Sequence, residues 1–313
     1  MRVERDGLGE LELPDDCLYG IQTERARRNF DLGGKTTALP LIYAMVTIKK
    51  AAALSWQKTG ARARRDGVFA AIIAACDQIL AGKADGAFVT NALQGGAGTS
   101  AHMNVNEVIA NLALRILGEK PGAYHIVHPL DDVNRGQSTN DVYPTALRIA
   151  TIGLLRELSG HCAALQESLQ KKENAFEDVP KLGRTELMDA VPVTLGNEFA
   201  AYAQAIARDR WRLYKAEERL RQVNIGGAAV GLEDSDPALR KYRYAIIEEL
   251  RELTGMGLAA AEYPMDITQN NDVPVEVSGL LKALAVNLSK IAGDLRLMNS
   301  GPRGGLGEIS LAP

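Results

Sequence analysis

With 313 residues, 46% hydrophobic and 24% charged, the chain can bury a sizeable core, and this composition excludes a disordered protein. Its 36 Lys and Arg against 39 Asp and Glu leave a net charge of −3, so no overall basic field is available to draw in nucleic acid. Three separated cysteines, Cys17, Cys76 and Cys162, form no CxxC pair; this argues against a disulfide framework or a thiolate zinc site and fits a reducing cytoplasmic location. Apolar runs such as Leu41–Ile48 and Val68–Cys76 fall well short of the roughly 20 residues that span a bilayer. The charged start, MRVERDGLGELELPDD, lacks the apolar core of a signal peptide, so neither export nor membrane insertion is implied.

Residues 1 to about 37 mix charges, glycines and a proline and read as an irregular arm holding a short strand or a helical turn. Apolar residues then recur at three- and four-residue steps from Pro40 to Lys58 and from Arg64 to Leu80, with Gly60 and Gly82 as the expected stops. A third helix is predicted from Ser100 to Leu117, closed by Gly118. Beyond residue 136 the helices lengthen. No proline interrupts the stretch between Pro144 and Pro180, and Leu147, Leu154, Leu158, Cys162, Leu165 and Leu169 trace one stripe along a helix of about 35 residues, or about 50 Å.

A second stripe follows Pro192 through Leu195, Phe199, Tyr202, Ile206, Leu213 and Leu220, and a shorter amphipathic helix is expected from Pro237 to Thr254. The last stripe, Val277, Leu281, Leu284, Leu288, Ile291, Leu295 and Met298, alternates steps of four and three, the heptad rhythm of a helix packed on long neighbours. The stripes are read as core. Three such helices point to a bundle, and faces that one chain cannot cover point to a homo-oligomer.

Four polar segments fit neither core nor ordinary linker: GGAGTSAHMNVNE at 95–107, GQSTND at 136–141, GRTELMD at 183–189 and GPRGGLGE at 301–308. In the first three, glycines precede hydroxyl and amide side chains where a helix is expected to begin. Free N–H groups and the positive dipole end there suit an anion. Thr99, Ser100, Ser138, Thr139, Asn140 and Thr185 could together hold a dicarboxylate, although for any one segment N-capping by Ser, Thr, Asp or Asn explains the same residues. GGAGTS has no Lys at Walker spacing, which disfavours a nucleotide phosphate.

The same segments, together with ERDGLGE, YGIQT, NEVIAN, QSTNDVYPTA, GRTELMDAVP and DITQN, resemble the aspartase/fumarase superfamily of homotetrameric lyases over essentially the whole chain. YGIQT and STND resemble the ammonia-lyase branch more than the fumarate hydratases. The resemblance implies an all-α, aspartase/fumarase-like fold: a small helical N-terminal domain, residues 1–135, followed by a long-helix bundle, residues 136–313, that is incomplete. It also implies a homotetramer with sites shared between subunits.

The implied reaction needs no cofactor. A base takes the proton next to one carboxylate, ammonia leaves the neighbouring carbon, and L-aspartate becomes fumarate through an enediolate-like intermediate. By resemblance Thr99, Ser138 and Thr139 donate to the carboxylate that gains charge, with Ser100 beside them, while Asn140 and Thr185 complete the pocket.

Glu186 stands where many relatives have His. A carboxylate there suits a leaving ammonium better than a neutral hydroxyl beside a dianion, though an acid in a helix's first turn would look the same. Met188 replaces a common Gln, His102 a frequent Asn and Ala228 a frequent Thr. The catalytic serine base is expected on a GSSxMPxKxNP-like loop after Pro313, so no base is assigned in this chain and Ser310 is not given that role. His125, His128 and His161 lack metal-ligand spacing, and Arg303 fits a carboxylate contact and a structural ion pair equally. A fumarate hydratase or another dicarboxylate lyase of the superfamily, and a noncatalytic assembly protein, are the alternatives.

Overall fold

The computed structural model describes residues 1–59, 66–232 and 237–312; the expected stop at Gly60, the expected helix start at Arg64, and Pro313 lie outside them. The elements in chain order are β1 (Arg2–Asp6), β2 (Gly9–Leu13), α1 (Ile21–Asn29), α2 (Leu39–Thr59), α3 (Asp66–Leu80), α4 (Thr99–Ile116), α5 (Thr139–Ala175), β3 (Pro180–Thr185), β4 (Met188–Thr194), α6 (Leu195–Leu220), β5 (Gln222–Val223), α7 (Pro237–Thr254), β6 (Ala259–Ala260), α8 (Pro264–Gln269) and α9 (Asp272–Met298). The helical fold class is as the sequence implies. Among the described residues, strands form only two-stranded sheets, β1–β2 and β3–β4 antiparallel and β5–β6 parallel.

Two compact units divide the chain: Met1–Thr151 with Leu220–Asn270, and Ile152–Arg219 with Asn271–Pro313. In the first, α2 packs on α3 and α7, and α4 on α3 and α1. The core is built largely from small and branched side chains: Ile42, Ile48, Ala52, Ile72, Ile79, Val105, Ile109 and Ile246 are fully or almost fully buried. Stacked rings, Trp56 on Tyr242 at 4.3 Å, join α2 to α7.

The arm expected at the N-terminus is more ordered than its composition suggests. It forms a hairpin, β1–β2, and the short helix α1. Charged side chains make these elements: Arg2 donates to the carbonyls of Pro14, Cys17 and Tyr19, and Arg25 pairs with Asp6 through two nitrogens and with the Gly9 carbonyl. The α1 N-terminus is met by a buried carboxylate from α4. Glu107 accepts from the N–H groups of Gly20, Gln22 and Thr23 and from the Thr23 hydroxyl at 2.6–3.0 Å. A Cβ at position 20 would lie 2.5 Å from the Tyr124 hydroxyl and 2.8 Å from Glu107, so only glycine lets the arm approach this closely.

In the second unit, the later part of α5, α6 and α9 are long helices. Contacts run Arg156–Glu217, Gln166–Arg210 and Phe176–Phe199 between α5 and α6, so the residue numbers rise on one and fall on the other: the pair is antiparallel. Glu276–Arg219, Asn287–Asp209 and Asp294–Tyr202 give the same sense to α6 and α9. Pro144 sits in the second turn of α5 and does not end it: the Asn140 carbonyl that its missing N–H would leave open accepts from the Asn224 amide at 3.0 Å.

α6 begins at Leu195, the first residue of its expected stripe. Pro192 lies in β4 and pairs with Leu182, because residues 180–194 form a hairpin. The stripes are only partly core. On α9, Val277, Leu284, Ile291 and Met298 are buried at seven-residue intervals, while Leu281 and Leu288 are each 39% exposed; on α5, Leu154 is 52% exposed.

Candidate active site

The mouth of α4 is shaped by glycine. Gly98, at φ 89°, is the residue before the helix, and a Cβ there would lie 2.3 Å from the Tyr143 ring of α5. The Thr99 hydroxyl donates back to the Gly96 carbonyl at 2.7 Å, and Gln94 rather than a Ser or Thr caps the turn, its Oε1 accepting from the Ala101 N–H at 2.8 Å. Thr99 is exposed and Ser100 half-buried. Capping therefore does not account for the Thr99 hydroxyl.

At the mouth of α5 it accounts for part of the pattern. Ser138 and Asp141 form a reciprocal box: the Ser138 Oγ accepts from the Asn140 N–H at 3.3 Å, and Asp141 Oδ1 accepts from the Ser138 N–H at 2.9 Å. Asp141 is buried, and its Oδ2 accepts from the N–H groups of Gly226 and Ala228, each at 3.0 Å. Burial pushes its carboxyl up to about 7, against the pull of these backbone donors and of the Lys49 charge. Asn140 donates its amide to the Ala229 carbonyl at 2.8 Å, and Asn224 donates to the Asn140 carbonyl at 3.0 Å. The GGAAVG loop is thereby tied to the helix mouth.

The two mouths are joined by a chain of polar side chains. Thr139 Oγ1 lies 2.7 Å from His102 Nδ1, His102 Nε2 lies 2.7 Å from Lys49 Nζ, and Lys49 donates to Asn134 Oδ1 and Gln137 Oε1 at 2.7 and 3.0 Å. Lys49 and His102 are fully buried. Burial holds the His102 imidazole well below its ordinary value, with the Lys49 charge adding to it, so the ring is neutral; burial also lowers Lys49 to about 7, against the attraction of Asp141. Lys49 carried no role in the sequence. Its place on the helical row Ile42, Met45, Ala52 and Trp56 is the signal that could have marked it apart from its neighbour Lys50.

Thr185 and Glu186 belong to the second unit, and the expectation that GRTELMD opens a helix is corrected. Residues 183–189 are the end of β3, a tight turn and the start of β4. Glu186 and Leu187 occupy the turn at φ 53° and 63°, both exposed, so Glu186 is not a first-turn acid on a helix dipole. The alternation of this segment is masked because both faces carry polar and apolar residues, and the strands are largely exposed.

The sequence also missed what anchors this hairpin. Arg184 forms a two-nitrogen ion pair with Glu308 of GPRGGLGE, and Lys181 adds contacts to Glu308 at 2.9 Å and Glu198 at 2.8 Å. The Arg184 guanidinium, helped by Lys181, holds the Glu308 carboxyl below its usual range, although burial works the other way. Two of the signature segments are thus joined to each other by charge.

The remaining candidates are structural or exposed. His128 Nδ1 accepts from the N–H groups of Leu130 and Asp131 and caps the π-helical turn Pro129–Val133; His125, His161 and Arg303 lie at the surface. Among the described residues no cluster of three or more His, Cys, Asp or Glu could hold a metal ion.

A family model described as Lyase matches residues 9–313. The chain belongs to the aspartase/fumarase lyase family. Within it, the chain is 45% identical to an aspartate ammonia-lyase of a Bacillus species over 99% of its own length and 66% of the relative's. It is 42% identical to a class II fumarate hydratase of Ralstonia nicotianae, over 99% of this chain and 67% of that one. A crystal structure described as fumarate lyase:delta crystallin from Brucella melitensis superimposes with a TM-score of 0.95 at 44% identity, covering 99% of this chain and 67% of the other. The chain thus spans about two thirds of the length of the relatives it matches.

Proposed function

We propose that the protein is an aspartate ammonia-lyase, a carbon–nitrogen lyase that removes ammonia from L-aspartate by reversible anti elimination to give fumarate. The observation that carries the reading is the 45% identity to an aspartate ammonia-lyase across 99% of the chain. The chemical difficulty is the weak acidity of the carbon next to the carboxylate. Charge builds on that carboxylate as an enediolate, and donors already in place lower the barrier because they need not reorganise during reaction.

Thr99, Ser100, Ser138 and Thr139 supply hydroxyl and N–H donors at the two helix mouths, with the dipoles of α4 and α5 adding positive potential. Asn140 and Thr185 orient the rest of the substrate, and the Glu186 carboxylate favours an ammonium leaving group. The base is assigned to no residue of this chain, and residues 1–313 alone are expected to be inactive. In the complete fold, residues 1–135 form an N-terminal domain and residues 136–313 part of the central bundle, in a cytoplasmic homotetramer with shared sites and no cofactor. The open rows on α5 and α9 support further helices or subunits covering them. Among the described residues no helix is long and apolar enough to cross a membrane.

A second reading, fumarate hydratase, is favoured by the 42% identity to a relative of that name. Supplying L-aspartate and L-malate separately to the full-length protein, and following fumarate by its ultraviolet absorbance, separates the two. Fumarate from aspartate and none from malate is expected; turnover of malate alone replaces the ammonia-lyase by the hydratase.

A further inference from the structure

The chain Lys49–His102–Thr139 is a buried hydrogen-bond relay whose direction can be worked out from its fixed ends. Asn134 gives its amide nitrogen to the Gln137 carbonyl, and Gln137 gives its own to the carbonyls of Val133 and Arg135. Backbone carbonyls can only accept, so both amide oxygens must face Lys49. Two of the Lys49 hydrogens are thereby used. What remains on Lys49 is a third hydrogen if it is an ammonium, or a lone pair if it is an amine, and His102 Nε2 has to match it.

We propose that His102 is a positioning residue: the Lys49 ammonium donates to His102 Nε2, the ring proton is forced onto Nδ1, and Nδ1–H donates to Thr139 Oγ1. This leaves the Thr139 hydroxyl hydrogen free to donate to the substrate carboxylate. A neutral Lys49 would reverse the chain: Nε2–H would donate to the amine, Nδ1 would accept, and the Thr139 hydrogen would be spent on the ring. The charged groups facing Lys49 favour the first direction. Asp141, whose three backbone N–H donors favour the ionised carboxyl against burial, attracts the ammonium in that form, and the other titratable neighbour, Cys76, is an uncharged buried thiol whose titration burial pushes up. His102 meets Lys49 and Thr139 through its two nitrogens, and the Asn134 side chain, which accepts from Lys49, also acts on the ring. With Asn in place of His, the amide could flip, and the direction would no longer follow from the charge on Lys49.

The inference rests on the reading of Thr139 as a substrate donor, and two measurements on the full-length protein keep the two ideas apart. The first is 15N solid-state NMR of histidine-labelled protein at about pH 6, below the Lys49 value near 7, with the His102→Asn spectrum for assignment. It is expected to show a neutral His102 with the proton on Nδ1; a proton on Nε2, or an imidazolium, overturns the relay whatever Thr139 touches.

The second is a double-mutant cycle on kcat/KM for L-aspartate. His102→Leu is expected to cost about tenfold with Thr139 present and less than about twofold in a Thr139→Val background, because the effect passes through that hydroxyl. His102→Gln, whose amide can accept from Lys49 and donate to Thr139, is expected to keep the rate within about threefold and guards against a folding defect in the leucine variant. Equal losses in both backgrounds contradict the relay alone. Wild-type kinetics for Thr139→Val contradict the substrate role of Thr139 and remove the functional part of the relay with it.

Discussion

Four hydrogen bonds converge on the Glu107 carboxylate, which binds the N-terminal arm to α4. Burial alone would penalise such a charge, and the donors of α1 offset that cost. Glu107→Ala leaves those donors buried without an acceptor, with an expected loss of about 3 kcal/mol in denaturant unfolding and faster hydrogen exchange over residues 18–29. Unchanged exchange there would show that the arm is held by other contacts. In the site, Thr99→Ala and Ser138→Ala in the full-length protein are expected to lower kcat by about 100-fold with the far-ultraviolet CD spectrum retained. Ser138→Ala also loses about 1 kcal/mol of stability because its hydroxyl caps α5. Rates at the wild-type level would take both hydroxyls out of the pocket. The hydroxyls were legible in the sequence because glycine and hydroxyl residues at a helix start are a local pattern. Lys49 and the anchoring role of Glu107 were not, since their partners lie 53 to 88 residues away.

Element by element, α4, α5, α7 and α9 were readable from periodicity and end signals: α7 falls where a helix was expected at roughly Pro237 to Thr254, and α9 ends at Met298, where its stripe ends. The β3–β4 hairpin was not. Its turn residues, Glu186 and Leu187, adopt positive φ without the Asn-Gly or Asp-Gly pair that marks such turns. Replacing Leu187 by Gly removes the strain of a side chain at φ 63°, with an expected gain of about 0.5–1 kcal/mol in denaturant unfolding; a loss of stability would mean that Leu187 makes a contact worth more than the strain.

The hairpin's ion pair gives a pH dependence of known sign. Glu308 has its folded value lowered from 4.5, so its contribution is present above that value and is lost as pH falls through the lower folded one. Hydrogen exchange over residues 181–194 is therefore expected to accelerate as pH falls below 4.5 and through the lower folded value, after correction for intrinsic rates, and to be already fast at pH 7 in Glu308→Gln. Equal protection in the variant and the wild type at pH 7 would show that the pair does not hold the hairpin.

For the whole molecule, the sequence made the class readable through its long stripes, but not how much of each stripe is buried. The buried row Val277, Leu284, Ile291, Met298 beside the half-open Leu281 and Leu288 is the pattern of a helix with a neighbour on one side of its seam. The proposed function needs Thr185 and Glu186, which lie in a different unit from Thr99, Ser138 and Thr139, to reach the same ligand. The most direct test is a crystal structure of the full-length protein with a bound four-carbon diacid. The account predicts one carboxylate of that ligand within hydrogen-bond reach of Thr99, Ser138 and Thr139, with Thr185 in the same cleft. A diacid bound elsewhere, with these hydroxyls facing separate regions of solvent, would contradict it.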